Sequence, residues 1–178
     1  MLPFFSALRP RRMDNKPPLL MREEKIVTTG NHEEIEILLV EDDPLDLEMT
    51  LRSLQSDHVN NRIEVARDGE EALDFLFCRG PYSGRSLESQ PKLVLLDLKL
   101  PKIDGLEVLR EIRATPETRT IPVVVLTSSA EQRDIVETYK LGVNSYIQKP
   151  VDSTQFRQTI KAAGFYWLVV NRPPHVNA

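Results

Sequence analysis

Cysteine, glycine and aromatic side chains are all scarce in this 178-residue chain, which has one cysteine, seven glycines and 6% aromatics. The lone Cys78 has no partner for an internal disulfide, which fits a reducing compartment. No apolar run approaches the roughly 20 residues that span a bilayer. The apolar opening Met1–Phe5 is followed, rather than preceded, by Arg9, Arg11 and Arg12. Secretory signals have the reverse order, so the expectation is a cytoplasmic protein with no membrane partner. Basic charge is not in excess either, the formal net charge being −4. Such a balance argues against nucleic acid as a partner, which calls for a basic face.

What is present supports a packed core: 40% of residues are hydrophobic and 28% charged. Residues 1–33 stand apart. They contain Pro3, Pro10, Pro17 and Pro18 and show no hydrophobic period, so they read as a flexible arm. Met13 and Met21 are alternative starts within it. A single domain over 34–170 and a short tail over 171–178 complete the organisation.

From Ile35 onward, short apolar runs alternate with amphipathic segments. Ile35–Val40, Leu93–Leu96 and Val123–Leu126 are continuous Val/Ile/Leu runs, with weaker ones at Ile63–Ala66 and Ser145–Ile147. Runs of this length suit strands buried on both faces, as in a parallel sheet. Between them lie helical patterns. Asp43 followed by Pro44 opens one through Leu54, Asp68 caps one reaching Phe77, and Gly105 precedes a third. Ser129 with Gln132 resembles a capping box for a fourth that stops near Gly142, and Asp152 with Gln155 opens a last one running past Trp167. Five strands alternating with five helices predict an α/β fold, a doubly wound five-stranded parallel sheet. The stretch from Arg79 to Pro91 is a long connection for such a domain. Cys78, late in an apolar helix, reads as inert core.

Ligands in sheets of this kind bind beyond the carboxyl ends of the strands. Glu41 and Asp42 follow the first strand and Asp97 the third, Thr127 ends the fourth and Lys149 follows the fifth. Converging carboxylates repel one another unless a cation neutralises them, and hard oxygen ligands without nearby histidine or cysteine point to Mg²⁺. His32, His58 and His175 are far apart in sequence and suggest neither a metal cluster nor an internal phosphodonor. Thr127 is suited to donate to a phosphoryl oxygen, and Lys149 to neutralise another. Asp97, central in the set, is suited to attack phosphorus. Asp43 is explained by helix capping and Asp104, before Gly105, by a turn.

Four ordered motifs then carry a family resemblance. Ile37-Leu-Leu-Val-Glu-Asp-Asp43, Leu95-Leu-Asp-Leu-Lys-Leu-Pro-Lys-Ile-Asp-Gly105, Val124-Val-Leu-Thr-Ser-Ser129 and Tyr146-Ile-Gln-Lys-Pro150 resemble the receiver domain of two-component response regulators. The resemblance covers roughly residues 35–165 and implies the flavodoxin-like receiver fold. It also implies that Asp97 accepts phosphate from the histidine of a sensor kinase. Glu41, Asp42, Asp97 and the backbone carbonyl of Lys99 would then hold Mg²⁺, with Thr127 and Lys149 on the phosphoryl group. Tyr146 would be the aromatic switch that follows Thr127, and the Lys149-Pro150 bond would be cis. The long loop before Pro91 and the aromatic-rich last helix further resemble the small regulators that partner phytochrome histidine kinases.

Two positions depart from the commonest receiver pattern: Glu41 stands where aspartate is frequent, and Lys99 is cationic where a neutral residue is common. Lys99 also bears on the alternatives. Phosphohydrolases with an aspartate nucleophile usually carry a second acid two residues later, and the intact acidic set argues against a scaffold that works without phosphate. In the last helix Phe156, Ile160, Ala163, Trp167 and Val170 share the expected core stripe. Phe165, Leu168 and Val169 fall off it, which predicts a contact surface for a homodimer or for the kinase.

Overall fold

The computed structural model describes residues 35–55, 62–149 and 152–172. Its strands are β1 (Ile37–Val40), β2 (Ile63–Ala66), β3 (Leu93–Leu96), β4 (Val123–Thr127) and β5 (Ser145–Gln148). Its helices are α1 (Pro44–Leu54), α2 (Gly69–Leu76), α3 (Gly105–Ala114), α4 (Gln132–Lys140) and α5 (Ser153–Phe165). The strands form one sheet in the order β2-β1-β3-β4-β5, every neighbouring pair parallel. This is the doubly wound, flavodoxin-like order that the sequence leads us to expect. Among the described residues no helix is long and apolar enough to cross a membrane.

Side chains of a strand alternate between faces, so a continuous apolar run supplies two cores. Leu38, Val40, Val94, Leu96, Val123 and Val125 pack on one side with Phe75 and Leu76 of α2 and Val108, Leu109 and Ile112 of α3. Ile37, Leu39, Leu93, Leu95, Val124 and Leu126 pack on the other with Leu47 and Leu54 of α1 and Phe156 and Ile160 of α5. Each such side chain, buried fully, contributes about 1.5–3 kcal/mol to folding.

The expected caps hold at three helices, and Asp104, read from the sequence as a turn residue, caps a further one. Asp43 accepts from the amides of Leu45 and Asp46, Asp68 from Glu71, Asp104 from Glu107, and Asp152 from Thr154 and Gln155. The fourth expectation fails: α4 starts at Gln132, and its N-cap Glu131 makes no side-chain capping bond. The Ser129 hydroxyl accepts the Glu131 amide at 3.4 Å, ahead of the helix, and donates to Asp134 Oδ2 at 2.6 Å. Cys78 also departs from expectation. It lies past α2, half-buried and with φ +54°, where the chain turns toward a short 3-10 turn at Gly80–Tyr82.

That turn belongs to the long connection, which is tied down rather than loose. Arg85 stacks over the Phe75 ring at 3.5 Å from its centroid and donates to the carbonyls of Phe75 and Ser89. Gln90 donates to the Leu76 carbonyl at 2.9 Å. At the other end of the domain, α5 passes into a π turn at Tyr166–Val170, closed by the Asn171 amide on the Tyr166 carbonyl. The wider turn shifts the helical phase. Trp167 and Leu168 therefore pack against the α1–α5 core, while Val170, expected in the stripe, is exposed. The proposed arm at 1–33 and the Lys149-Pro150 bond lie outside the described residues.

Candidate functional site

Parallel register delivers the acidic residues to one place. Val40 pairs with Leu96, so Glu41 and Asp97 leave neighbouring strands at the same level. The chain runs from β1 to β2 on one side, and β3 lies on the other, so the site sits where the strand order reverses. Asp42 follows directly, and one oxygen each of Glu41, Asp42 and Asp97 lie within 4.8 Å of one another. Glu41 and Asp97 are buried, at 1% and 6% exposure, while Asp42 faces solvent.

Lys149 reaches this cluster from the end of β5. Its ammonium donates to Glu41 Oε2 at 2.7 Å, Asp97 Oδ2 at 2.7 Å and Asp46 Oδ2 at 2.8 Å. Its amide is fixed by the Thr127 carbonyl at 2.8 Å, which aligns β5 with the end of β4. Burial disfavours the ammonium's charge, but the hydrogen bonds it donates to Asp46, Asp97 and Glu41 outweigh it and push the lysine pKa up. Glu41 moves the other way relative to its charge. Burial raises its pKa to about 7 despite the opposing Lys149 contact, with the Asp97 carboxylate adding to the rise. One ammonium thus faces four carboxylates, an excess of negative charge that a hard divalent cation would relieve. The oxygen-only donor set of Glu41, Asp42 and Asp97 fits such an ion.

Asp97 is held at both oxygens, Oδ1 accepting the Lys99 amide at 3.1 Å and Oδ2 the Lys149 ammonium. The Lys99 side chain itself is exposed. Gly105 keeps the backbone of Asp97 in place by close approach: a Cβ there would lie 2.1 Å from the Asp97 carbonyl oxygen. Thr127 is wholly buried, and its Oγ1 accepts the Ser129 amide at 3.3 Å, which leaves its own proton to donate. Tyr146 is half-buried on β5 with its hydroxyl donating to the Ser129 carbonyl at 2.9 Å. On the far side of the domain Phe165 and Val169 are exposed at 60% and 56%, whereas Leu168 is turned inward by the π turn. The expected contact surface therefore loses Leu168 and gains Tyr166 and Val170.

One site residue escaped the sequence reading. Asp46 binds Lys149 from the first turn of α1. In the sequence it reads only as an acidic residue in the first turn of α1, where a carboxylate suits the helix dipole, so nothing singled it out.

Comparison with known proteins agrees with this geometry. The family described as response regulator receiver domain matches residues 37–161. The probable methanogenesis regulatory protein FilR2 of Methanothrix harundinacea is 44% identical over 138 residues, spanning 78% of this chain and 86% of its own. Response regulator Rcp1 of Synechocystis is 38% identical over 132 residues, 74% of this chain and 88% of its own. The Mn²⁺-bound form of Rcp1 covers 78% of this chain and 98% of its own at a TM-score of 0.72 and 37% identity. The phosphorylated cyanobacterial phytochrome response regulator RcpA has a TM-score of 0.74 and 39% identity, covering 80% of this chain and 99% of its own. The chain belongs to the response regulator receiver domain family of two-component signalling.

Proposed function

We propose that Asp97 is the phosphoacceptor of a cytoplasmic response regulator serving a sensor histidine kinase of the phytochrome kind. The observation that carries this reading is the buried Asp97 carboxylate with Lys149 at 2.7 Å on one oxygen, set beside Glu41 and Asp42. The kinase assignment leans on RcpA, described as a phytochrome response regulator.

An Asp97 oxygen attacks phosphorus of a kinase phosphohistidine, forming an O–P bond as the N–P bond breaks. The electron pair stays on the imidazole nitrogen, which then takes up a proton. Lys149 follows the developing phosphoryl charge, and the Thr127 hydroxyl donates to a second phosphoryl oxygen. Mg²⁺ held by Glu41, Asp42, Asp97 and the Lys99 carbonyl would supply neutralisation of the phosphoryl oxygens. As Thr127 moves toward the phosphoryl group, Tyr146 gains room and its bond to the Ser129 carbonyl is released. The receiver spans residues 34–170, with 1–33 as an arm and 171–178 as a tail. Hydrolysis of the acyl phosphate resets the domain without turnover of free phosphomonoesters.

Incubation with acetyl phosphate, with and without Mg²⁺, followed by intact mass tests the chemistry. Wild type should gain one alkali-labile phosphate only with Mg²⁺, and Asp97→Asn none; uptake by Asp97→Asn would refute the assignment. The exposed Phe165 and Val169 favour a homodimer through the end of α5. Light scattering of Phe165→Glu/Val169→Glu should give half the wild-type mass. A wild type that is already monomeric removes the dimer.

A further inference from the structure

Lys149 occupies the position a divalent cation would contest. An ammonium has three protons to donate, and here all three are used, on Glu41, Asp46 and Asp97. Two of those acceptors, Glu41 and Asp97, belong to the carboxylate cluster with Asp42. The third, Asp46, does not. It stands in the first turn of α1, its side chain 28% exposed and the lysine's 7%.

We propose that Asp46 is a positioning residue that keeps the Lys149 ammonium at the site while Glu41 and Asp97 are given over to the divalent ion. The proposal rests on the reading that Glu41, Asp42 and Asp97 hold that ion. A desolvated ammonium that lost two carboxylates with nothing in exchange would be left buried and underbonded, at a cost that opposes metal binding. Asp46 lowers this cost by retaining one charge-assisted hydrogen bond. Without Asp46, Lys149 holds to Glu41 and Asp97, and the two cations compete for the same oxygens. Asp46 thus couples metal affinity to the position of a lysine that the phosphoryl group later needs.

A mutant cycle measured by calorimetry with Mg²⁺ on the full chain tests this. Asp46→Asn should weaken Mg²⁺ binding about fivefold or more with Lys149 present, and less than about twofold in a Lys149→Met background. An equal loss in both backgrounds would show that Asp46 acts as one more negative charge on the metal, and no loss with Lys149 present would show that it does nothing; either overturns the proposal. Nuclear magnetic resonance of the lysine side chains gives a second readout. The Lys149 ammonium should stay protected from solvent exchange at saturating Mg²⁺ in wild type and lose that protection in Asp46→Asn. Equal protection in the two proteins overturns the proposal as well. Wild type that binds no Mg²⁺, or binds it unchanged after Asp42→Asn, fails the underlying metal reading instead and takes this inference with it.

Discussion

Tyr146 donates its hydroxyl to the carbonyl oxygen of Ser129 at 2.9 Å, joining β5 to the loop that leaves Thr127. Ser129 is itself 3% exposed, so its carbonyl has little access to water as a substitute donor. The bond thus links the aromatic residue on β5 to the segment between Thr127 and α4.

Removing it has a measurable cost. Tyr146→Phe should lower stability by about 1 kcal/mol, read as a shift in the denaturant midpoint. Amide exchange at Ser129 and Glu131 should accelerate, while Asp97 should still take up phosphate from acetyl phosphate. Unchanged exchange in that loop would detach Tyr146 from it.

Metal binding should depend on pH through Glu41. Its folded pKa is raised from 4.5 to about 7, chiefly by burial, so the metal-free folded state holds this proton more tightly than the unfolded chain. The proton's stabilising contribution is therefore present in full below pH 4.5 and is lost as pH rises through 7. Mg²⁺ requires the ionised carboxylate, so its affinity should fall by about tenfold per unit as pH drops below 7 and level off above it. Calorimetry at pH 6, 7 and 8 checks this, and Glu41→Gln should flatten the profile.

Gly105 sits against the nucleophile's backbone. A Cβ there would come 2.1 Å from the Asp97 carbonyl oxygen and 2.6 Å from Leu98 Cα. Gly105→Ala should destabilise the domain by about 1–3 kcal/mol and slow phosphate uptake, because Asp97 must shift to relieve the overlap. Thermal melting and intact mass together separate the two effects.

The long connection is pinned by Arg85, which stacks on Phe75 and donates to two carbonyls. Arg85→Ala should cost about 1 kcal/mol or more and raise proteolytic cleavage between Arg79 and Pro91. Arg85→Lys should fail to restore resistance, since an ammonium cannot provide the planar fork.

The strands were legible because each is a short apolar run that two cores must bury, and the helix starts because Asp43, Asp68 and Asp152 cap locally. The start of α4 was not legible. Ser129 and Gln132 match a capping pattern, yet the serine's hydroxyl accepts the Glu131 amide before the helix begins, and its carbonyl is held by Tyr146, a residue that β5 brings close. Val170 was misplaced for a related reason: a single π turn rotates the last residues of α5 away from the phase that a regular helix would give.

By itself the sequence determined which chemistry was on offer. The acids after β1 and β3, the hydroxyl ending β4 and the lysine after β5 are fixed by chain order, and parallel strands bring their carboxyl ends to one edge. Only the tertiary structure decided how those groups pair. That Lys149 divides its three protons among Glu41, Asp97 and an acid on α1 depends on where a helix packs against the sheet, and burial then sets the charge each group will bear. Spacing along a chain specifies which side chains meet within an element; distances and dielectric between elements arise only once the core has formed.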